Sequence, residues 1–160
     1  MRFFEGLERT DYQDLLRSIG RQLDVVGARD LRLFETDSGL TLQFRRADAM
    51  AEGFATAWYG DDDLLPLLQE TYELRGQGTE DLPVTCPLGI PYQQWLRAIG
   101  RTFDRGGMHN LRLVEQPAGA IVQGTGGLLR RGYETHRLTT KQIAALVDGG
   151  TGDLLLIWPD

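Results

Sequence analysis

The strongest constraint on this chain is its similarity to itself. Residues 12–43 align without a gap to residues 92–123: YQDLLRSIGRQLDVVGARDLRLFETDSGLTLQ lies over YQQWLRAIGRTFDRGGMHNLRLVEQPAGAIVQ. Dropping one residue keeps the register afterwards, so that Thr56 aligns with Thr135 and Leu67 with Leu146. A fixed internal period indicates repeated copies of one structural unit. The sequence therefore predicts a first repeat over 1–75, a connector over 76–89 and a second repeat over 90–160.

The first element of each copy is predicted to be a helix. Apolar residues recur on one helical face from about Asp11 to Val26, and again after Pro91, which suits the first helical position. Thr10 and Gln13 fit a capping box at the first helix start. Gly27 and Gly107 stand where a helix end favours a residue that tolerates positive φ.

Strands follow each helix. Alternation of apolar and polar residues predicts strands at 31–33 and 40–44, with a turn at Asp37-Ser38-Gly39, and a third strand at 54–59 or 133–138. A second helix is predicted to begin at Asp61-Asp62-Asp63, with Asp62 or Asp63 as its cap, or at Thr139-Thr140. The apolar segment 154–158 is predicted to be a C-terminal strand.

The predicted fold class is α+β, with two tandem α-β-β-β-α repeats and antiparallel sheets covered by helices. A unit of about 80 residues buries only about 60 to 65% of its unfolded surface and is marginal alone. We therefore expect the repeats to pack as a pseudo-twofold pair, either sheet edge to sheet edge or face to face.

Composition excludes several classes of protein. No apolar run reaches the length of a membrane span, and residues 1–10 lack the apolar core of a secretory leader. A single cysteine, Cys86, excludes an internal disulfide framework and any multi-cysteine zinc site, so we expect a cytoplasmic protein. The basic residues are 16 Arg and one Lys, a bias typical of a GC-rich bacterial genome.

Charge argues against general nucleic-acid binding but not uniformly along the chain. The net charge is −6, and phosphate attraction supplies most of the affinity for nucleic acid. Residues 1–80 carry −7, whereas residues 81–160 carry +1 and include seven Arg between positions 97 and 137. The second repeat is therefore the half more compatible with an anionic partner.

Seven arginines are the candidate binding residues. Two pairs recur at helical i, i+4 spacing in both copies, and three more lie in the second repeat: Arg17, Arg21, Arg97, Arg101, Arg112, Arg130 and Arg131. One interpretation makes the two helical pairs two equivalent patches for an anionic partner. The other is simple solvation or pairing with the duplicated acids Asp24/Asp104 and Glu35/Glu115. Surface ion pairs contribute only about 0 to 1 kcal/mol, so stability alone does not explain their retention in both copies.

Other candidate motifs favour structural roles. Gly124-Thr125-Gly126-Gly127 beside Arg130 and Arg131 could form an anion nest, but it lacks a P-loop ending and is interpreted as a hairpin connection. The aspartate run 61–63 is better explained by the helix N-terminus than by a metal.

Cys86 has no histidine placed beside it, and the two histidines, at a turn and in a strand, suggest no triad or metal site. Trp58, Trp95 and Trp158 are expected to fill core or interface space. We predict no catalytic residue, metal or cofactor.

Two families share the predicted order of elements. The α-β-β-β-α order resembles the double-stranded RNA-binding domain, but that family's lysine-rich second-helix start is replaced here by Asp61–Asp63 or by Thr139–Lys141, so the resemblance implies no RNA binding. The order, the acidic charge and the leading amphipathic helix also resemble the secretion-chaperone-like fold of bacterial adaptors and regulators. That resemblance implies a binding protein.

Three functions remain open. The leading hypothesis is a non-catalytic bacterial adaptor whose duplicated body presents a protein-interaction surface and which could form a homodimer. The second is anion or nucleic-acid binding through the Arg-rich second repeat. The third is a small enzyme with a site in the cleft between repeats, lined by Arg112, His109 or His136.

Overall fold

The structure, a computed structural model, describes residues 12–46, 55–60, 63, 66, 84, 86–126 and 133–148. Its helices and strands follow in chain order: α1 (Tyr12–Val26), β1 (Ala28–Thr36), β2 (Gly39–Arg46), β3 (Ala55–Tyr59), α2 (Tyr92–Gly106), β4 (Met108–Gln116), β5 (Gly119–Gly126), β6 (Tyr133–Thr139) and α3 (Thr140–Asp148). The predicted α+β class is confirmed. No helix in the described ranges has the length and apolar content needed to cross a bilayer.

One six-stranded sheet runs through the described part of the molecule, in the order β3-β2-β1-β4-β5-β6, and every neighbouring pair is antiparallel. At its centre β1 pairs with β4 over three positions, with Leu33 opposite Leu113 in the middle. Of the two arrangements expected from the sequence, the structure has the edge-to-edge one. We call this central β1–β4 junction the seam.

The seam is short because both of its strands bulge at equivalent places. Asp30 in β1 has φ 56° and Asn110 in β4 has φ 55°, and the pairing with the outer neighbour strand shifts at each of these points. Asn and Asp are the residues that tolerate the left-handed region best after glycine. The bulges bend β1 and β4 away from each other, so their mutual ladder covers only residues 32–34 and 112–114.

Helices α1 and α2 cover one face of the sheet and form the core with it. Side chains alternate along the strands, and the inward residues of β1, β2 and β4 include six fully buried leucines: Leu31, Leu33, Leu40, Leu42, Leu111 and Leu113. The two helices pack very closely where they cross. A Cβ on Gly20 would lie 2.5 Å from the Gln93 Cα, and one on Gly100 would lie 2.5 Å from the Tyr12 carbonyl oxygen.

Each long helix is capped by an aspartate of the other helix. The Asp24 carboxylate accepts hydrogen bonds from the backbone N–H groups of Tyr92 (2.8 Å) and Gln93 (3.1 Å). The Asp104 carboxylate accepts from Tyr12 (2.9 Å) and Gln13 (3.0 Å). These acids therefore satisfy the N-terminal N–H groups of the opposite helix. In these contacts Asp24 and Asp104 bind backbone N–H groups, not the arginines suggested from the sequence.

The structure tests the predictions made for the ends of the two long helices. Pro91 is the N-cap of α2 and not its first helical residue, and it makes no side-chain cap. Thr10, of the proposed capping box, lies outside the described residues. Gly27 (φ 67°) and Gly107 (φ 63°) adopt the left-handed conformation predicted for them after the two helices.

Two glutamates extend the seam beyond its short ladder. Glu35 Oε2 accepts from the backbone N–H of Leu111 (2.8 Å) and from the Tyr12 hydroxyl (2.6 Å). Glu115 accepts from the backbone N–H of Asp30 (3.1 Å) and from the Tyr92 hydroxyl. Burial raises the pKa of both carboxyls. Glu35 and Glu115 therefore connect β1 with β4. The donors in these hydrogen bonds are backbone N–H groups and tyrosine hydroxyls, not the arginines suggested from the sequence.

The glycines 124 and 126 lie within β5, so their interpretation as a hairpin connection is wrong. A Cβ on Gly124 would lie 2.8 Å from the ring of Phe103, which is fully buried. In the aligned first half the glycine position holds Phe44 and the Phe103 position holds Leu23. The glycine thus makes room for a large ring where the other half places the ring on the strand. Gly127 lies outside the described residues.

The turn that precedes α3 has a counterpart at Gly60 and Asp63. Thr139 and Gln142 form a reciprocal capping box, with N···O distances of 2.9 and 3.2 Å. At the aligned place in the first half, the Asp63 carboxylate accepts from the Gly60 N–H at 3.0 Å, while the Asp63 N–H donates to the Gly60 carbonyl oxygen. Asp63 therefore lies inside the first turn and not at the cap. Asp61, Asp62 and the predicted strand at 154–158 lie outside the described residues.

Candidate binding face of the sheet

The face of the sheet that points away from α1 and α2 carries the candidate site. Alternation along the strands assigns side chains to this outer face: Arg29, Arg32, Phe34, Thr41, Gln43, Arg45, Thr56, Trp58, Arg112, Val114, Ile121, Gln123, Thr125, Thr135 and Arg137. All of them are exposed or half-buried, whereas their inward neighbours form the core. The outer face is therefore chemically distinct from the helix-covered side.

Two identical rows of polar residues cross the outer face. In the first half, the pairing of β1, β2 and β3 places Arg32 beside Gln43 and Gln43 beside Thr56. In the second half, β4, β5 and β6 place Arg112 beside Gln123 and Gln123 beside Thr135. The Gln123 amide donates to the Thr135 hydroxyl at 3.0 Å. We call these the two Arg–Gln–Thr rows; each starts at the seam and runs outward.

The two arginines of these rows meet at the seam. Arg32 lies opposite Val114, and Phe34 lies opposite Arg112. Arg32 and Arg112 are therefore diagonal neighbours on one face, a relationship that separates the residues by about 7 to 8 Å in an antiparallel pair, and their Cβ atoms by somewhat less. The seam thus presents two guanidinium groups, each flanked across the strand by an apolar side chain.

The outer face is basic although the chain is acidic. Five exposed arginines occupy outward strand positions: Arg29, Arg32, Arg45, Arg112 and Arg137. Among the described residues, no Asp or Glu occupies such a position; Asp30, in the bulge, lies 3.8 Å from Arg45. The outward positions of the described strands therefore carry positive charge, although the net charge of the chain is −6. An anionic group approaching the outer face meets a positive local potential.

Apolar groups lie between these cations. Of the core or interface positions predicted for the tryptophans, Trp95 is fully buried in the core, whereas Trp58 is 56% exposed and does not lie in the core. Phe34, Val114 and Ile121 are half-buried on the same face. Trp158 lies outside the described residues. A surface that mixes arginine with aromatic and aliphatic side chains is typical of the buried part of protein interfaces.

The predicted arginines do not form one patch. Arg112 belongs to the outer face, whereas Arg17 and Arg21 lie on α1 and Arg97 and Arg101 lie on α2. Arg130 and Arg131 fall outside the described residues.

Arg101 has a structural contact in the helix layer. Its Nη2 donates to the carbonyl oxygen of Leu146, near the end of α3, at 2.7 Å. Burial, and then the charges of Arg105 and Arg97, lower the pKa of Arg101. This arginine thus joins α2 to α3.

The residues suggested for an enzymatic cleft lie on different sides of the sheet. Arg112 points outward, whereas His136 is 6% exposed on the inward side of β6, with its Nε2 3.4 Å from Glu134. His109 lies in strand β4, not in a turn as predicted, and is exposed. These three side chains therefore do not converge on a common reacting group.

Cys86 is a buried thiol beside a carboxylate. Its Sγ donates to Glu115 Oε1 at 3.7 Å. Burial, followed by the Glu115 charge, raises the pKa of Cys86 to about 12. The thiol is therefore protonated near neutral pH and is a poor nucleophile. In the part of the chain that the structure describes, no group of three or more His, Cys, Asp or Glu side chains could hold a metal ion.

Sequence reasoning singled out Arg112 but missed its partners. Arg32, Gln43 and Thr56 align with Arg112, Gln123 and Thr135, and every one of these pairs is identical. The available signal was identity between the two aligned segments at positions that the strand alternation places outside the core. Burial constrains inward positions, whereas exposed positions are free to vary unless something else holds them.

Comparison of the chain with family models, with curated protein sequences and with solved structures found no match.

Proposed function

We propose that this protein is a non-catalytic adaptor, built by internal duplication, that binds a protein partner on the outer face of its six-stranded sheet. The duplication is supported by aligned residues that make equivalent contacts. Asp24 and Asp104 cap opposite helices, and Glu35 and Glu115 accept from opposite strands. The pairing of β1 with β4 then gives the adaptor one continuous face instead of two small ones.

The single observation that carries the proposal is the composition of the outer face. Trp58 and Phe34 offer aromatic surface among exposed arginines, and arginine and aromatic residues dominate the binding energy of protein interfaces. The face is built on strands whose opposite sides are anchored in the core. A partner therefore meets a surface whose backbone is already ordered, which reduces the entropy cost of binding.

The proposal includes a cytoplasmic location and allows a homodimer. The location is argued from Cys86, a lone thiol in a chain with no other cysteine. The outer edges of the sheet, β3 and β6, are the strands through which two copies could associate. Sedimentation equilibrium of the purified chain measures this directly.

A second candidate function is anion or nucleic-acid binding. The observation that favours it is the five exposed arginines on the outer face, together with the exposed ring of Trp58. Arginine and aromatic side chains on an open sheet suit single-stranded nucleic acid. These arginines come from both halves, so this candidate differs from the earlier hypothesis of a site confined to the second repeat.

Site-specific photocrosslinking in the native host tests the adaptor function. A photoreactive phenylalanine derivative would replace Thr56 or Thr135, both exposed on the outer face, and Asp37 or Ala118, both exposed in hairpin turns, as controls. We expect discrete protein adducts from the two outer-face positions and none from the turns. Adducts of equal pattern at all four positions, or none at Thr56 and Thr135, would refute a protein-binding outer face.

A further inference from the structure

We infer that the two Arg–Gln–Thr rows act together as one recognition site for an acidic protein segment in extended conformation, which crosses the seam and presents two carboxylates to Arg32 and Arg112. This inference rests on the proposed binding function and adds the chemistry of the partner.

The first argument is the identity of the rows. Arg32, Gln43 and Thr56 are repeated without change as Arg112, Gln123 and Thr135, although all six lie on the outer face. Their neighbours on the same face have diverged: Phe34 aligns with Val114 and Thr41 with Ile121. Packing of the core does not require these polar side chains. A shared ligand chemistry explains why polar identity persists there.

The second argument is the type of group that such a row can hold. A guanidinium provides paired N–H donors that match the two oxygens of a carboxylate. The neighbouring glutamine amide and threonine hydroxyl add neutral donors, and Gln123 and Thr135 are already joined at 3.0 Å. Each row therefore offers one guanidinium and two neutral polar side chains to an anionic group, and in the second row the glutamine and threonine are ordered by their hydrogen bond.

The third argument is spacing. Arg32 and Arg112 are diagonal neighbours across the seam, and such positions are about 7 to 8 Å apart, with their Cβ atoms somewhat closer. In an extended strand, side chains at i and i+2 point to the same side and are about 6.4 to 6.8 Å apart. Two acidic residues separated by one residue therefore match the two arginines. The apolar side chains of Phe34 and Val114, beside the arginines, suit apolar residues of the same segment.

The fourth argument favours an acidic peptide over nucleic acid. The total charge of −6 repels a long polyanion, whereas a short acidic segment interacts mainly with the basic outer face. The face also carries half-buried aliphatic surface at Val114 and Ile121, which offers nothing specific to a sugar-phosphate backbone. Charge complementarity combined with apolar contact thus favours a protein segment with Asp or Glu and apolar residues.

The test is a selection from a random library of 12-residue peptides displayed on phage. The baits are the full chain, the double variant Arg32→Gln/Arg112→Gln, and Arg105→Gln as a matched control on the helix layer. We expect the wild type and Arg105→Gln to enrich peptides with acidic residues at i and i+2. Synthetic copies of the enriched peptides should bind the double variant at least tenfold more weakly, since two charge-assisted contacts are lost.

Every other result overturns the inference. Such results are no enrichment, enrichment without acidic pairs, or acidic peptides that bind the double variant as tightly as the wild type. Circular dichroism of each bait excludes misfolding, and single Arg32→Gln and Arg112→Gln variants, each expected to lose about half of the log-affinity change, provide a milder perturbation. A 12-nucleotide oligouridylate or oligoadenylate that binds more tightly than the best peptide, and is lost in the double variant, would assign the rows to nucleic acid.

The two proposals fail separately. If Thr56 and Thr135 crosslink to a protein but selected peptides lack acidic pairs, the adaptor function stands and the inferred chemistry falls. If acidic peptides bind the rows but no protein crosslinks in the cell, the recognition chemistry stands and the adaptor function falls.

Discussion

The carboxylate of Asp24, near the end of α1, accepts a 2.8 Å hydrogen bond from the backbone N–H of Tyr92, the first residue of α2. Asp104 makes the equivalent contact with Tyr12 in the opposite direction. Each long helix thus depends on the other half of the chain for its N-terminal cap. The four acids at aligned positions, 24, 104, 35 and 115, all accept hydrogen bonds from the other half of the chain.

Removal of either aspartate cap should destabilise the whole molecule. Asp24→Ala leaves the N–H groups of Tyr92 and Gln93 without their acceptor, and loss of an N-cap costs about 0.5 to 2 kcal/mol. Asp104→Ala should cost a similar amount. The measurement is the free energy of unfolding from urea titration followed by circular dichroism. Asp37→Ala, in an exposed turn, is the control, and a loss no larger than that of the control would contradict the capping role.

Alanine at either helix-crossing glycine should be destabilising. Helix propensity alone predicts that Gly20→Ala and Gly100→Ala stabilise the protein by about 0.5 to 1 kcal/mol. The new Cβ would instead lie 2.5 Å from backbone atoms of the other helix, and such overpacking costs about 1 to 3 kcal/mol. The sign of the change in melting temperature separates the two effects. An increase in melting temperature would show that α1 and α2 do not pack this closely.

The buried glutamates should make stability depend on pH. Burial raises the pKa of Glu35 and of Glu115 above the ordinary value of about 4.3. Between the ordinary and the raised pKa, the folded state binds more protons than the unfolded state, so the free energy of unfolding decreases as pH rises through this window. Their contribution is complete below the ordinary pKa and is lost above the raised one.

Urea titrations at intervals from about pH 4.5 to pH 7 measure this slope. Glu35→Gln and Glu115→Gln remove one titrating group each and should flatten the dependence. The control variant is Asp37→Asn, in the exposed turn between β1 and β2. An unchanged slope in both glutamine variants would mean that other groups cause the pH dependence.

Gly124 and Phe103 should behave as a coupled pair. A Cβ at Gly124 would lie 2.8 Å from the Phe103 ring, so Gly124→Ala should cost about 1 to 3 kcal/mol. Phe103→Leu, which copies the aligned Leu23, frees space for that Cβ. The double variant should therefore be more stable than the sum of the two single changes predicts, by about 0.5 to 3 kcal/mol in a double-mutant cycle. Additive changes would refute direct contact.

Within the described residues, the sequence was sufficient for the order of elements because the patterns are local. The apolar stripe from Tyr12 to Leu23 specifies a helix, and the alternation around Leu31 and Leu40 specifies strands. The left-handed glycines at 27 and 107 were also predictable, since few other residues tolerate that backbone at a helix end. The class α+β followed from this order.

The long-range contacts were not predictable in the same way. Asp24 and Tyr92 are 68 residues apart, and nothing in the local pattern around Asp24 distinguishes a cap from a solvated acid. The sequence around Gly124 is typical of a flexible loop. The side chain that requires a glycine there, the Phe103 ring, lies on another element. The residue type of Trp58 predicts a core or interface position without deciding between them, whereas its outward strand position leaves it exposed.

Only part of the candidate site could be predicted from the sequence. Arg112 was identified from the charge of the second half, but Arg32 was not, since the first half is strongly acidic overall. Only strand pairing shows that these two arginines are neighbours across the seam. Net charge averages over a sequence segment, whereas a ligand experiences the charge of one surface.

The two ends of the outer face are chemically different. Rotation about the seam exchanges one Arg–Gln–Thr row for the other, so the rows alone would accept an extended chain in either of two opposite directions. The corresponding outer positions, Trp58 in β3 and Arg137 in β6, break this equivalence, because one offers an indole ring and the other a cation. A bound segment with an aromatic contact at one end and an acid at the other would therefore be held in a single orientation.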